Sequence, residues 1–376
     1  MKQALRACFH QFSCFLLHLG FTCNTVDSSI FVYARSNIIL DLFLYVDDIV
    51  VTGNNTPFLR NFIQQLHREF ATNDLGTLNY YLGLEVSSFA NGLFLSQAKY
   101  AHNILAHAQL LDCKPTTTLM VVSKQLSNDG DAFTNPTLYH SMVGALQYLT
   151  ITHPDLTHVV NFVNRYMQSP TVHHFQTLKC ILRYVKGTLH YGLYFSSFSP
   201  TSLTTYSDAD WAGCPDTHCS TSSYAMFLGD NLISWSAKKQ PTISRSSCES
   251  EHRVLAHTAS KVVWITHLLR DLKVSLSHKS LLLCDNKSAI FLTLILVSYK
   301  RLKHIALDYH FIHELAKSGV IQPQSVPSHL QITDIFTKSL SQMLFTFFFS
   351  KLRVRVNLTL SLQRDDKESN ISRYPP

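Results

Sequence analysis

The sequence is poor in charge and has no cysteine pattern. Only 15% of its 376 residues are charged, against 46% apolar, a balance that excludes an intrinsically disordered chain. Nine cysteines are scattered with no CxxC pair among them. "CPDTHCS" holds Cys214, His218 and Cys219, but no second ligand cluster follows, so incidental thiols in a reducing compartment are the reading. Long hydrophobic runs are missing too. "AIFLTLILV" (Ala289 to Val297) is about half the length a bilayer span needs. Polar residues break the apolar stretch of "MKQALRACFHQFSCFLLHLGF", which reads as an amphipathic helix rather than a signal peptide. No internal repeat is visible. A protein without a signal peptide, transmembrane segment or membrane partner is expected.

The length fits two or three domains, and the formal net charge of +7 favours a polyanionic partner. Residues 1–115 run helix, strands, helix. "IILDLFLYVDDIVVTG" reads as two strands around an Asp pair, Asp47 and Asp48. In "TPFLRNFIQQLHREFA", Phe58, Phe62, Leu66 and Phe70 recur at helical spacing. "LNYYLGLEVSSFANGLFLSQ" looks like a hairpin turning at Asn91-Gly92. Residues 116–198 hold two helical patterns, "YHSMVGALQYLT" and "HHFQTLKCILRYVKGTL", parted by the breaker His153-Pro154. Residues 199–345 alternate strand signals with a helix from about Ser247 to Leu272 and another ending at Gly319, which predicts an α/β layered domain. Residues 346–376 read as a loose tail.

Four carboxylates of the third region stand at element ends: Asp208 in "TYSDADW", Glu251 in "SSCESEH", Asp285 in "LLLCDN" and Asp334 in "LQITDIF". Carboxylates that converge repel one another unless cations neutralise them. Hard divalent ions take oxygen ligands, and a pair of them can drive phosphodiester hydrolysis. An Asp at a helix or strand end is also ordinary, as an N-cap for instance, and the pattern alone leaves both readings open.

The stretch "TYSDADWAGCPDTHCSTSSYAMFLGDNLISWSAKKQPTISRSSCESEH", followed by "LLLCDNKSAI", "LKHIALDYHFIHE" and "ITDIFTKSL", resembles the ribonuclease H domain of copia-type LTR retrotransposon polyproteins. The resemblance covers about Thr201 to Ser341. It implies a ribonuclease H-like mixed sheet with helices, and cleavage of the RNA strand of RNA–DNA hybrids with two Mg²⁺ or Mn²⁺ ions held by Asp208, Glu251, Asp285 and Asp334. Glu249 competes with Glu251, which is preferred because the helical run begins directly after it. His252 stands where the family usually has an aromatic residue. Arg301, Lys303 and His304 keep positive charge in a departed basic motif, and Lys303 and His304 are expected to touch nucleic acid. His329, shortly before Asp334, is either a proton shuttle or a plain loop histidine.

"YVDDIV" resembles the metal-binding turn of the reverse transcriptase palm, with Asp47 and Asp48 as ligands, and "NYYLGLEV" the primer-gripping hairpin that follows. "SMVGALQYLT", "HPDL" and "ILRYVKGTLHYGL" resemble the segment between polymerase and nuclease. "KQALRAC" resembles the helix after the palm's first motif, with Leu5 and Cys8 where Pro and Trp are usual. The resemblance therefore implies a truncated α+β palm, a mainly helical connection and an α/β nuclease. The third palm Asp and the fingers would lie upstream, the hairpin would lack a sheet neighbour, and polymerase activity would be lost unless the true gene restores that part. The implied partners are RNA–DNA hybrid, primer–template and other retrotransposon proteins of a virus-like particle, with the cytoplasm as the expected location and the nucleus as a second one. A relic that binds hybrids without cutting them, and one with no biochemical role, are the alternatives.

Overall fold

The computed structural model describes residues 2–117, 119, 127, 129–295 and 305–356. They form two compact units: one comprises the chain up to Tyr81 together with Lys261–Ser275, the other Leu82–Ser260 and the chain from Leu276 onward.

In the first unit, helix α1 (Lys2–His18) precedes strands β1 (Thr22–Cys23), β2 (Ile30–Arg35), β3 (Ile38–Tyr45) and β4 (Asp48–Gly53), then helix α2 (Thr56–Glu69) and the short strand β5 (Tyr80–Tyr81). The first four strands pair antiparallel in the order β1-β2-β3-β4. Alternation along β3 buries Leu40 and Leu42 among Phe12, Leu16, Phe31 and Phe62, whereas Tyr45 is exposed. Asn55 caps α2 by accepting from the Phe58 N–H at 2.9 Å. Phe62 and Leu66 of α2 are buried, and Phe70, just beyond its end, packs edge-on against Phe12 and Phe15. The hairpin around the Asp pair does not lack a sheet neighbour. "IFVYAR", rich in β-branched and aromatic side chains, pairs as β2 with residues 38–43 of β3, so of the hairpin's two strands β4 alone is an edge.

The second unit holds two sheets. In one, the hairpin β6 (Leu84–Phe89) and β7 (Gly92–Ser96) continues through β8 (Tyr191–Ser196) to β14 (Val354–Val356). Its turn centres on Ala90-Asn91, not Asn91-Gly92, because Phe89 pairs with Gly92. Between β7 and β8 come the helices α3 (Ala98–His107), α4 (Pro136–Leu149), α5 (Thr157–Asn164) and α6 (Val172–Gly187), packed around Tyr139, Met142, Leu146, Leu178 and Ile181. His153-Pro154 ends α4 as expected and then opens a 3-10 turn into α5, a helix too short to announce itself by periodicity. Asp155 is buried there and accepts from the Tyr184 hydroxyl at 2.8 Å.

The other sheet has five strands in the order β11-β10-β9-β12-β13: β9 (Leu203–Asp210), β10 (Thr221–Leu228), β11 (Asn231–Lys239), β12 (Ser280–Cys284) and β13 (Ile321–Ser325). It is the mixed sheet expected, antiparallel from β11 to β9 and parallel from β9 to β13. Helix α7 (Ser247–Asp271) follows β11, α8 (Lys287–Leu294) and α9 (Ala306–Lys317) join β12 to β13, and α10 (Asp334–Thr337) and α11 (Gln342–Lys351) lead to β14. Helix α5 packs on β11 and α10. The Asn161 amide there donates to the Ala237 carbonyl, and Arg165 donates to the Thr221 hydroxyl at 2.7 Å. The chain does not loosen at residue 346. Phe348 and Leu352 are fully buried, and β14 pairs with β8 as far as Val356. No helix among the described residues is long and apolar enough to cross a membrane.

Candidate metal centre

Strand β9 lies at the middle of the five-stranded sheet and pairs parallel with β12, Tyr206 opposite Leu283. Two residues further along each strand stand Asp208 and Asp285. The register therefore delivers both carboxylates to the same sheet edge, although they are remote in sequence. Glu251 reaches that edge from the first turns of α7, where its carboxylate accepts from the Ala209 N–H. Asp334 arrives on α10, strapped onto β9 by buried polar side chains. Gln331 donates to the Ser207 carbonyl at 2.9 Å, Thr333 to Gln331 at 2.8 Å, and Thr337 to Asp208 Oδ2 at 2.6 Å.

Glu249 and Glu251 are parted by the helix itself, since two residues turn through roughly 200° at 3.6 residues per turn. Glu249 faces away from the cluster. It accepts from the Arg245 N–H at 3.0 Å and pairs with Arg253 at 2.7 Å, while Ser246 caps the same turn. The acid Glu251 is the one turned toward Asp208 and Asp285.

The four carboxylates act on one another, and two groupings stand out among them. Ligand atoms of Glu251, Asp285 and the intervening Cys284 all lie within 4.8 Å of one another, and no other such trio exists among the described residues. Asp208 and Asp334 instead share the ammonium of Lys338, at 3.5 and 2.6 Å. Burial, then the charges of Asp208 and Asp285, push the Glu251 carboxyl up to about 9. Burial, then Asp208, raise Asp334 to about 6, against the pull of Lys338. Asp208 is raised by burial, although Lys338 and Thr337 oppose the shift. Burial works to lower the Lys338 ammonium, but Asp208, Asp334 and Asp285 together hold it above its ordinary value. A fifth acid, Asp210, is raised by burial and then by Asp208. It follows Asp208 by two residues on the same strand, and Gly213 leaves it room, since a Cβ there would fall 1.6 Å from Asp210 Oδ2.

The donor set fits a hard divalent ion at Glu251 and Asp285, with Asp208 adjoining. Oxygen donors crowded together and held partly protonated by burial and mutual repulsion are what such a cation relieves. Cys284 is not a ligand of that kind. Burial, then Glu251, raise its thiol well above the ordinary value, and it donates to Glu251 Oε2 at 3.6 Å. Sequence reasoning missed Lys338, Thr337, Gln331 and Asp210. The signal for the first two was a Thr and a Lys at three and four residues after Asp334, which helical geometry stacks over the acid.

His252, next to Glu251, is fully buried. Neither ring nitrogen has a hydrogen-bond partner, the ring stacks on Tyr309, and burial lowers its basicity to about 4. An unpaired buried polar group costs about 1–3 kcal/mol. His252→Phe should therefore raise the unfolding free energy by about 1–2 kcal/mol in urea titration. A decrease would show that the imidazole is satisfied in solution. His329 is exposed in a 3-10 turn (Ser328–Leu330). Lys303 and His304 lie outside the described residues.

Asp47 and Asp48 stand at the β3–β4 turn, both exposed, beside a groove of ≈ 620 Å³ lined also by His67, Asp74 and Tyr80. Tyr45 pairs with Asp48, so Val46 and Asp47 make a two-residue turn. Val46 takes a φ of 51°, in the left-handed region that β-branched residues avoid. Val46→Gly should relieve about 1 kcal/mol of that strain, raising the melting temperature. An unchanged or lower value would place no strain at the turn.

Strand order and acidic residues together define a mixed α/β protein with a cluster of carboxylates at one sheet edge. Residues 1–122 match the family model described as "Reverse transcriptase (RNA-dependent DNA polymerase)". The chain is 41% identical over 355 residues to the retrovirus-related Pol polyprotein from transposon RE2 of Arabidopsis thaliana, and 42% identical to that from transposon RE1. In each case 94% of this chain is covered but 24% of the relative. An uncharacterised mitochondrial protein of Arabidopsis thaliana is 48% identical over 223 residues, which is 59% of this chain and 93% of that protein. The chain belongs to the copia-type retrotransposon Pol polyproteins, and it spans about a quarter of the length of the curated polyproteins it matches. Among solved structures, the N-terminal RNase H domain of a Mycobacterium tuberculosis protein, fused to maltose-binding protein, matches at 13% identity and a TM-score of 0.27, covering 40% of this chain and 97% of that one. An overlap of that size leaves the description of the fold to rest on the strand order itself.

Proposed function

We propose that the chain is a divalent-metal-dependent nuclease that hydrolyses the RNA strand of RNA–DNA hybrids, with Asp208, Glu251, Asp285 and Asp334 as its acidic machinery. One observation carries this reading: carboxylates from four separate elements converge on one sheet edge. A Mg²⁺ or Mn²⁺ ion held by Glu251 and Asp285 would supply the charge that activates water and stabilises the leaving oxygen of a phosphodiester. The chain's own residues prepare the place. Thr337 fixes Asp208, and the Gln331–Thr333 strap fixes the segment that carries Asp334. Glu251 holds a proton at neutral pH and gives it up when a cation enters. Two ions, as the family resemblance implies, would also call on Asp208 and Asp334, which face Lys338.

An A-form hybrid is recognised by its shape and 2′-hydroxyls, and Lys303 and His304 are proposed to contact it. Residues 1–115 are read as the polymerase palm, 116–198 as the connection, 199–345 as the nuclease and 346–376 as a C-terminal segment. Asp47 and Asp48 would meet primer–template and metal. Among the described residues no third metal-binding side chain lies within ligand-sharing distance of both, so primer extension by this chain alone is not proposed. Family membership supports other retrotransposon proteins as partners, in a cytoplasmic particle with passage to the nucleus as a second location.

The test is the full chain with a hybrid labelled on either strand, in Mg²⁺ or Mn²⁺. RNA-strand cleavage that EDTA abolishes is expected. Salt-sensitive hybrid binding without cleavage in either metal would replace the nuclease with a binding protein.

A further inference from the structure

Lys338 lies in the stretch "ITDIFTKSL", and it occupies the charge centre of half the acidic cluster. Its ammonium lies 2.6 Å from Asp334 Oδ1 and 3.5 Å from Asp208 Oδ1, the two acids that are not within ligand-sharing distance of the Glu251–Asp285 pair. The remaining oxygen of Asp208 is taken by the Thr337 hydroxyl at 2.6 Å. Helix geometry fixes the arrangement, because Asp334 and Lys338 are four residues apart and so stack on one face. The lysine is 40% exposed, and Asp208 beneath it is 2% exposed.

The geometry points to Lys338 as a built-in cation that stands where a second divalent ion would otherwise sit, so that the nuclease site takes one metal ion. A second divalent ion would have to approach an ammonium already paired with its ligands. The ammonium also offsets the repulsion between Asp208 and Asp334, since like charges that close repel. This inference rests on the nuclease reading of the four acids.

The experiment titrates the full chain with Mn²⁺ by calorimetry and electron paramagnetic resonance. It is done in an Asp47→Asn/Asp48→Asn background, so that the other acid pair contributes no ion. One Mn²⁺ per chain is expected, with no spin coupling. Lys338→Met should take two, with the coupled-pair spectrum of neighbouring ions, and Lys338→Arg should stay at one. If Lys338→Met needs metal to fold, refolding in Mn²⁺ with two ions bound supports the proposal just as well. Two coupled ions in the chain that retains Lys338, or one ion in Lys338→Met, overturns it. The underlying reading fails separately: Asp285→Asn and Glu251→Gln would then leave Mn²⁺ binding unchanged.

Discussion

Asn in place of Asp208 should lower hybrid cleavage by about 10²–10³-fold, the loss typical of removing one preorganised electrostatic group from an active site, while the chain stays folded. The side chain is buried, joined to Thr337 and Lys338, and its charge bears on Glu251 and Asp334. Asn keeps the shape and can still accept from Thr337, but it removes one negative charge from the crowded cluster. Repulsion in the metal-free cluster falls, so the melting temperature in EDTA should hold or rise. That pairing separates a functional carboxylate from a structural one, because a structural Asp would lose stability and spare turnover. Cleavage assays beside thermal melts read both. Cleavage equal to that of the unmodified chain would remove Asp208 from the machinery.

The second large effect is on pH dependence. Glu251 titrates near 9 in the fold against an ordinary 4.5, and Asp334 near 6 against 3.8. A carboxyl raised on folding binds its proton more tightly in the folded chain. Its stabilisation is complete below the ordinary value and is lost as pH rises toward the folded one. Asp334 is spent by about pH 6, so between pH 6.5 and 9 the decline comes from Glu251 together with Asp208, which burial also raises. Metal-free chain should lose several kcal/mol over that window, at about 1.4 kcal/mol for each pH unit. His252, lowered to about 4 from 6.5, has the opposite sign. Its stability is present above 6.5 and lost as pH falls, which leaves the upper window clear of it. Denaturation in EDTA at a series of pH values should show the decline. Glu251→Gln should flatten it, and Mn²⁺ should flatten it in the unmodified chain by favouring the ionised form. An equal slope in Glu251→Gln would mean that Glu251 is not the buried acid.

Local chemistry made several elements legible. Aromatic and leucine spacing marked α2, whose Phe62 and Leu66 are buried. The β-branched flanks of the Asp pair marked β3 and β4, and the run after Glu251 marked α7. Short elements such as α5 and β14 were not legible, because eight and three residues are too few to display a period. They owe their form to partners, α5 to the sheet beneath it and β14 to β8.

The candidate site divides in the same way. Sequence by itself determined the family resemblance and, through it, the candidacy of the four acids. Only the tertiary structure decided that the helix beginning at Ser247 holds both Glu249 and Glu251 and turns Glu251 toward Asp208 and Asp285, that Lys338 stands between Asp208 and Asp334, and that Gln331 and Thr337 hold the strap. Those facts follow from the parallel register of β9 with β12 and from the docking of α10 on β9. A register is a relation between strands some 75 residues apart, set by the packing of their buried faces, and no local pattern encodes it.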